Sequence, residues 1–296
     1  MPYTLTGADG VPFTSKRPGA FGGHRRGRGY GRDWSAAPWR RLRVESPFDA
    51  DHMLAYLRAR AIPGVECVED SVYRRTLSLP HGPALVELDI REDAVRLRLP
   101  ACDSRDRRAA TTRARRLLGL DQDLAPARAA FARDALLGPL VAARPGLTVP
   151  GTVDGSELLI RAIVHQQVSL AAARTVLGRL VEDHGGTAFG ARLFPTSETL
   201  AALSPGELPM PAARARALIA AAAASPATVQ GLLALTGVGD WTASYVAMRA
   251  LRDPDAFPAT DLGIRRALER LGRPDPERWR PFRAYAAQHL WASALH

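Results

Sequence analysis

Residues 225–251 read SPATVQGLLALTGVGDWTASYVAMRAL. Two runs of helical spacing flank TGVGD, and the way that break folds decides the surrounding architecture. Gly237 and Gly239 can take positive φ and let another backbone come close, while Val238 between them can point into a core. The run after the break offers unpaired main-chain amides and the positive end of a helix dipole, a place that fits a phosphate. By itself a Gly-Val-Gly turn reads as a helix stop. Flanked by helices in a basic protein, it reads as a helix–hairpin–helix, a module that grips DNA phosphates without reading bases. Trp241 and Tyr245, spaced i and i+4, share one side of the second helix, either packed in a core or facing a cleft.

The chain has 296 residues, room for one large domain or two ordinary ones, and 46% hydrophobic residues allow a sizeable core. A formal net charge of +10 calls for a polyanionic partner, most simply nucleic acid. Lys16 is the only lysine, so 39 of the 40 basic residues are arginine. No apolar run is long enough for a bilayer and the N-terminus lacks an apolar signal core, so a cytoplasmic location without membrane attachment is expected. Cys67 and Cys102 are too few for a disulfide framework, a zinc site or a four-cysteine iron–sulfur cluster, and no such cofactor is expected.

Composition divides the chain in three. Residues 1–40 are rich in Gly and Arg without periodicity and read as a disordered basic arm able to hold nucleic acid loosely. Residues 41–120 read as an N-terminal α+β domain. In it, SPFDADHMLAYLRARAI is a capped helix with Met53, Leu54, Leu57 and Ala61 on one face. The alternating runs SVYRRTLSL, PALVELDI and DAVRLRLP then form an antiparallel sheet with one wet face. SRDRRAATTRARRLLGL follows as a helix. Residues 121–296 read as all-helical, with PARAAFARDALLGPLVAARPG helical, SELLIRAIVHQQVSLAAARTVLGRLVEDHGG as the longest apolar-periodic segment, and six short helices after it. The expected fold is mostly α, a helical bundle behind a small antiparallel sheet.

Beyond the hairpin, RDPDAFPATDLGIRRAL places Asp261 at the start of a helix. A helix N-cap explains that residue in structural terms. Its position 20 residues after Trp241, following a turn suited to phosphate, also lets its carboxylate face the sugar attached to that phosphate. GVGDWTASYVAMR followed by DAFPATD resembles the helix–hairpin–helix DNA glycosylase superfamily, and within it the AlkA-type DNA-3-methyladenine glycosylases. RAIVHQQVS resembles that family's wedge-bearing segment, the stretch from Pro47 its N-terminal sheet domain, and WRPFRAYAAQHLW its last helix, so the likeness covers roughly residues 42–296. The resemblance implies Asp261 as catalytic carboxylate and Trp241, Tyr245 and Trp291 as the base pocket. It further implies Gly237, Val238, Gly239 and Thr242 as DNA contacts, Gln167 as the side chain filling the gap left by a flipped base, and Leu233, Leu235 and Gly237 carbonyls as ligands of a monovalent cation. Ala292 after Trp291 departs from the family pattern and points to a wider pocket.

Breaking an N-glycosidic bond builds positive charge on the sugar, which a carboxylate below the ring stabilises while it orients water. N-alkylated purines already carry positive charge and leave without a protonating acid, so one carboxylate suffices. Aromatic faces hold a cationic base by about 0.5–2 kcal/mol per contact. Superfamily members that also cut the strand use a lysine two residues beyond the second hairpin glycine; here that place is Trp241. The expected activity is therefore a monofunctional, monomeric glycosylase acting on alkylated duplex DNA and leaving an abasic site. The alternatives are a glycosylase for another lesion, such as a deaminated or etheno base, and a non-catalytic DNA-binding protein. Gln166 and Gln167 can also simply face solvent on a helix, and His165 and His289 read as packing residues.

Overall fold

The computed structural model describes residues 37–294, so most of the expected arm over residues 1–40 lies outside the described residues. Arg40 already pairs with Leu97 in a sheet, which ends the arm earlier than composition suggests. Strands β1 (Arg40–Leu42), β2 (Glu66–Glu69), β3 (Val72–Leu79), β4 (Gly82–Ile90) and β5 (Val95–Ala101) form one antiparallel sheet in the order β1-β5-β4-β3-β2. The three alternating runs are β3, β4 and β5; β1 and β2 are too short for alternation to announce them.

One sheet face carries Tyr73, Leu77, Val86, Leu88, Val95 and Leu97 against helices α1 (Ala50–Arg60) and α2 (Arg107–Leu117). The other face is not wet as expected. Glu87 and Asp89 on it are buried under arginines of the flanking strands. Arg74 Nε donates to Glu87 Oε1 at 2.6 Å, Arg98 holds the second Glu87 oxygen, and Arg96 Nη2 lies 2.9 Å from Asp89 Oδ2. Cross-strand pairs of opposite charge whose long stems lie over the strands close that face to water.

The helical part comprises α3 (Ala125–Phe131), α4 (Leu137–Ala143), α5 (Gly155–His165), α6 (Leu170–His184), α7 (Ser197–Ala201), α8 (Ala212–Ala224), α9 (Val229–Leu233), α10 (Asp240–Val246), α11 (Leu262–Arg270) and α12 (Arg283–Ser293). A two-stranded hairpin, β6 (Thr187–Ala188) and β7 (Ala191–Arg192), follows α6. Helices α5, α6, α8 and α10 surround one core, and α3, α4, α11 and α12 another. Ile62 and Val65, from the segment joining α1 to β2, are fully buried in the first of these, which anchors the sheet to the bundle.

Two apolar runs are each split in two. Asp134 separates α3 from α4, because its Oδ1 accepts the Leu136 and Leu137 amides and caps the new helix. The long segment from Glu157 is broken at residues 166–169. Gln167 sits at φ +58, and Ser169 caps α6 by accepting the Ala172 amide. Gln167 is thus on a left-handed turn between helices, and not on a helix face.

Candidate active site

The hairpin joins α9 to α10. Gly237 takes φ +87, and a Cβ there would lie 2.7 Å from the Ala217 Cβ of α8. Both the handedness and the close approach require glycine. Gly239 does not take the positive φ open to it. It is extended at φ −93 and ψ 179, serves as the α10 N-cap without a side chain, and has open space where a Cβ would stand. Val238 between them is buried, as its place in the turn suggests. We expect Gly237→Ala to cost about 2–4 kcal/mol from strain and overlap, while Gly239→Ala leaves the melting temperature unchanged. Equal melting temperatures for the two variants would show that the hairpin is not held against α8.

Asp261 is the N-cap of α11 and more. Its Oδ1 accepts the Gly263 amide at 2.8 Å, the Ile264 amide at 3.1 Å and the Trp291 indole N–H at 2.8 Å. Its Oδ2 accepts the Trp241 indole N–H at 2.9 Å. The carboxylate is therefore fixed by a helix start on one side and by indoles from α10 and α12 on the other. Trp241 stacks on Tyr245 with centroids 5.2 Å apart and planes 14° apart, and Tyr245 meets Trp291 edge-on at 6.3 Å. These four residues line one cleft of about 1700 Å³, which also takes in the hairpin and Gln167. The site stands where the three cores meet: Trp241 and Tyr245 pack on one, Trp291 on a second and Tyr56 on the sheet's own.

Other expected site residues fall out differently. Gln167 is exposed at the cleft rim beside Val168, whereas the neighbouring Gln166 turns inward. Its Nε2 donates to the Gly237 carbonyl and to Thr242 Oγ1, each at 2.9 Å. Thr242 is accordingly buried, so its side chain braces the hairpin and leaves only its amide near the α10 start. Leu233 is half-exposed beside the hairpin, and the Leu235 carbonyl accepts the Val238 amide at 3.0 Å.

Residues 39–154 match the AlkA N-terminal domain, and residues 160–290 match the HhH-GPD superfamily of base excision DNA repair proteins. DNA-3-methyladenine glycosylase 2 of Escherichia coli is 34% identical over 280 residues, covering 84% of this chain and 95% of its own length. The chain belongs to the HhH-GPD superfamily. A Mycobacterium tuberculosis relative, "Probable bifunctional transcriptional activator/DNA repair enzyme AlkA", is 44% identical over 282 residues. That match covers 86% of this chain, which spans 57% of the relative's length. In fold, the 3-methyladenine DNA-glycosylase of Archaeoglobus fulgidus superposes with a TM-score of 0.74 at 21% identity, covering 86% of this chain and 98% of that one. The 8-oxoguanine glycosylase/lyase of Clostridium acetobutylicum gives 0.61 at 17% identity over 78% and 88%.

In this HhH-GPD chain several cleft residues went unread in the sequence. Tyr56 and Arg60 reach the cleft from α1, in the sheet unit, with the Arg60 guanidinium 4.2 Å over the Tyr56 ring. Arg249 lies one turn beyond Tyr245, where α10 continues as a π-helical turn, Ala247–Leu251, and its buried guanidinium faces Tyr56, Tyr245 and Trp291. Its spacing of four from Tyr245 and eight from Trp241 was the available signal; for Tyr56 and Arg60 no local signal existed. His165, read as a packing residue, lines the cleft. Its Nδ1 lies 2.6 Å from the Arg161 carbonyl, which only accepts, so the proton sits on Nδ1. Burial pulls its pKa down to about 4, leaving a neutral ring. His289 is buried in the bundle edge-on to Tyr285.

Proposed function

We propose that this protein is a monofunctional DNA glycosylase that flips N-alkylated purines, of the 3-methyladenine type, out of duplex DNA and hydrolyses their N-glycosidic bonds. The observation that carries this reading is Asp261, a carboxylate clamped between two indole N–H groups at the wall of an aromatic cleft. With the base held in the cleft against this aromatic wall, the carboxylate stabilises positive charge on the sugar and orients the attacking water. The E. coli relative's name supports alkylated purine as the substrate class.

The hairpin amides at Gly239 and the start of α10 bind the phosphate next to the lesion, and Gln167 enters the stack as the base leaves it, which costs a few kcal/mol. Leu233, Leu235 and Gly237 present main-chain carbonyls, neutral hard donors suited to a monovalent cation that bridges hairpin and phosphate. The Leu235 and Gly237 oxygens each accept one hydrogen bond and keep a second lone pair for such an ion. Two cysteines leave no ligand set for an iron–sulfur cluster. Among the described residues no helix is long and apolar enough to cross a membrane. The protein acts as a monomer.

Incubated with alkylated duplex DNA, it releases free modified base and leaves the strand intact until alkali cleaves the abasic site, because no lysine after Lys16 is available for a Schiff base. Mass spectrometry of the supernatant and a denaturing gel read both outcomes; absence of released base sinks the reading. Binding should also fall linearly in log–log form with salt, with a slope of about −0.9 per phosphate contacted. A flat response would remove DNA as the partner.

A further inference from the structure

We propose that Arg60 and Arg249 form a positive end of the base pocket that stabilises the negative charge gathering on an uncharged purine as its glycosidic bond breaks, an assignment that rests on the glycosylase reading above. Asp261 is the carboxylate of the same cleft, bonded to the indole N–H groups of Trp241 and Trp291. Tyr245 packs against both indoles, Arg249 faces the Tyr245 and Trp291 rings, and Arg60 lies over Tyr56. Arg249 stands 4.9 Å from the Tyr245 centroid, 4.9 Å from Tyr56 and 5.2 Å from Trp291. Trp241 lies one turn before Tyr245 and Arg249 one turn after, so the phenol ring is covered from both directions.

Neither guanidinium is paired with a carboxylate among the described residues. Arg249 donates to the Pro150 carbonyl at 2.6 Å and to Gln288 Oε1 at 3.3 Å, both neutral, and its buried Nε has no partner. Gln288 turns its amide nitrogen to the His52 ring, at 3.0 Å. Burial holds that ring's pKa below its ordinary value, and the Asp49 carboxylate beside it accepts the His52 amide and pairs with Arg144, not with Arg249. Buried positive charge without a counterion is costly unless something compensates it. The three aromatic rings do so in part, and an anionic ligand would complete it.

Tyr245 reports the potential at this end. Burial alone would raise its phenol, yet the Arg249 and Arg60 charges overrule burial and bring it down to about 8. A potential that favours a phenolate favours an anionic purine. Tyr56, pushed up to about 12 by burial, keeps its proton and remains a hydrogen-bond donor.

The electron count separates two kinds of base. When the C1′–N bond breaks, the bonding pair stays on the purine and water adds its oxygen to C1′; the proton that water loses ends on an uncharged purine's anion, or in solvent when the base was cationic. Measured from free enzyme and DNA, a cationic N-alkylated purine leaves as a neutral base, and its transition state gains nothing from nearby positive charge. An uncharged purine becomes an anion before it is protonated. A pocket negative at the sugar and positive at the base matches that charge separation.

The test compares the second-order rate constants of single-turnover release, with enzyme below saturation, for hypoxanthine, an uncharged 6-oxopurine, and for 7-methylguanine, a cationic base, from otherwise identical duplexes. Arg60→Met keeps the stem over Tyr56 and removes the charge; Arg60→Lys keeps a charge. We expect the neutral-to-cationic rate ratio to fall about tenfold in Arg60→Met and to recover in Arg60→Lys, any loss common to both bases cancelling. An unchanged ratio in Arg60→Met overturns the assignment, as does a wild type that releases 7-methylguanine but no hypoxanthine. A wild type that releases neither base strikes the glycosylase reading itself and takes this inference with it.

Discussion

Asp261→Asn should slow release of modified purine by about 100-fold to 1000-fold while the protein still folds and binds DNA. Three of the four hydrogen bonds to Asp261 fall on one oxygen, from the Gly263 and Ile264 amides and the Trp291 indole. An amide oxygen accepts all three, and asparagine is as good an N-cap as aspartate. The fourth bond, from Trp241 to the other oxygen, is lost because the side-chain NH2 faces an N–H. That mismatch costs about 1–3 kcal/mol of stability, enough to lower the melting temperature and far from enough to unfold the chain at 25 °C. The substitution otherwise removes only charge. Affinity for DNA holds or tightens, since a carboxylate beside the phosphate backbone repels it. Rates under saturating enzyme separate the two effects, and release by Asp261→Asn at the unaltered rate would remove the carboxylate from the mechanism.

Asp261 also shows what was legible in the sequence. The N-cap reading and the functional reading looked like rivals, and geometrically the residue is both a cap and a carboxylate held at the cleft. Trp241 and Tyr245 could be paired in advance because helical spacing of four is local. The same stripe continues to Arg249, but an arginine on an arginine-rich chain carries no signal until three rings are seen around it. Tyr56 and Arg60 come from α1 of the sheet unit, and only tertiary packing through Ile62 and Val65 brings them to the cleft. The break at residues 166–169 lay under an uninterrupted apolar run, though Ser169 offered a cap that could have been read. Gln166, not Gln167, ties that turn to the hairpin, a choice that two adjacent identical residues hide. On the sheet, alternation correctly separated two faces, yet it could not tell solvated charge from charge buried beneath arginines.

Arg75→Met should destabilise the protein by about 3–5 kcal/mol, and adding Glu157→Leu should recover most of that loss. Arg75 lies on the inner face of β3, buried, where a hydrophobic residue is expected. Its Nη1 donates to Glu66 Oε1 at 2.9 Å and its Nη2 to Glu157 Oε2 at 2.8 Å. Arg161 closes the ring, donating to Glu66 at 2.8 Å and Glu157 at 2.5 Å, and Tyr73 and the Ile62 amide fill the remaining Glu66 positions. Two positive and two negative charges balance between the sheet and α5. With methionine at 75, two buried carboxylates share one guanidinium and a net negative charge is stranded. Removing Glu157 as well leaves a neutral Glu66–Arg161 pair, so the two changes are strongly non-additive. Acidity should reveal the same coupling. Burial opposes ionisation of Glu66, but the Arg161 and Arg75 charges overrule it and draw its pKa from 4.5 to about 2. A depressed carboxyl stabilises the fold fully above its unfolded value, and the contribution fades as pH falls from about 4.5 towards 2. Losing Arg75 raises the Glu66 pKa, so the acid limb of Arg75→Met is shallower than that of the unaltered chain. Urea denaturation of the single and double variants across that pH range measures both effects; additive losses would mean that the four groups do not act as one unit.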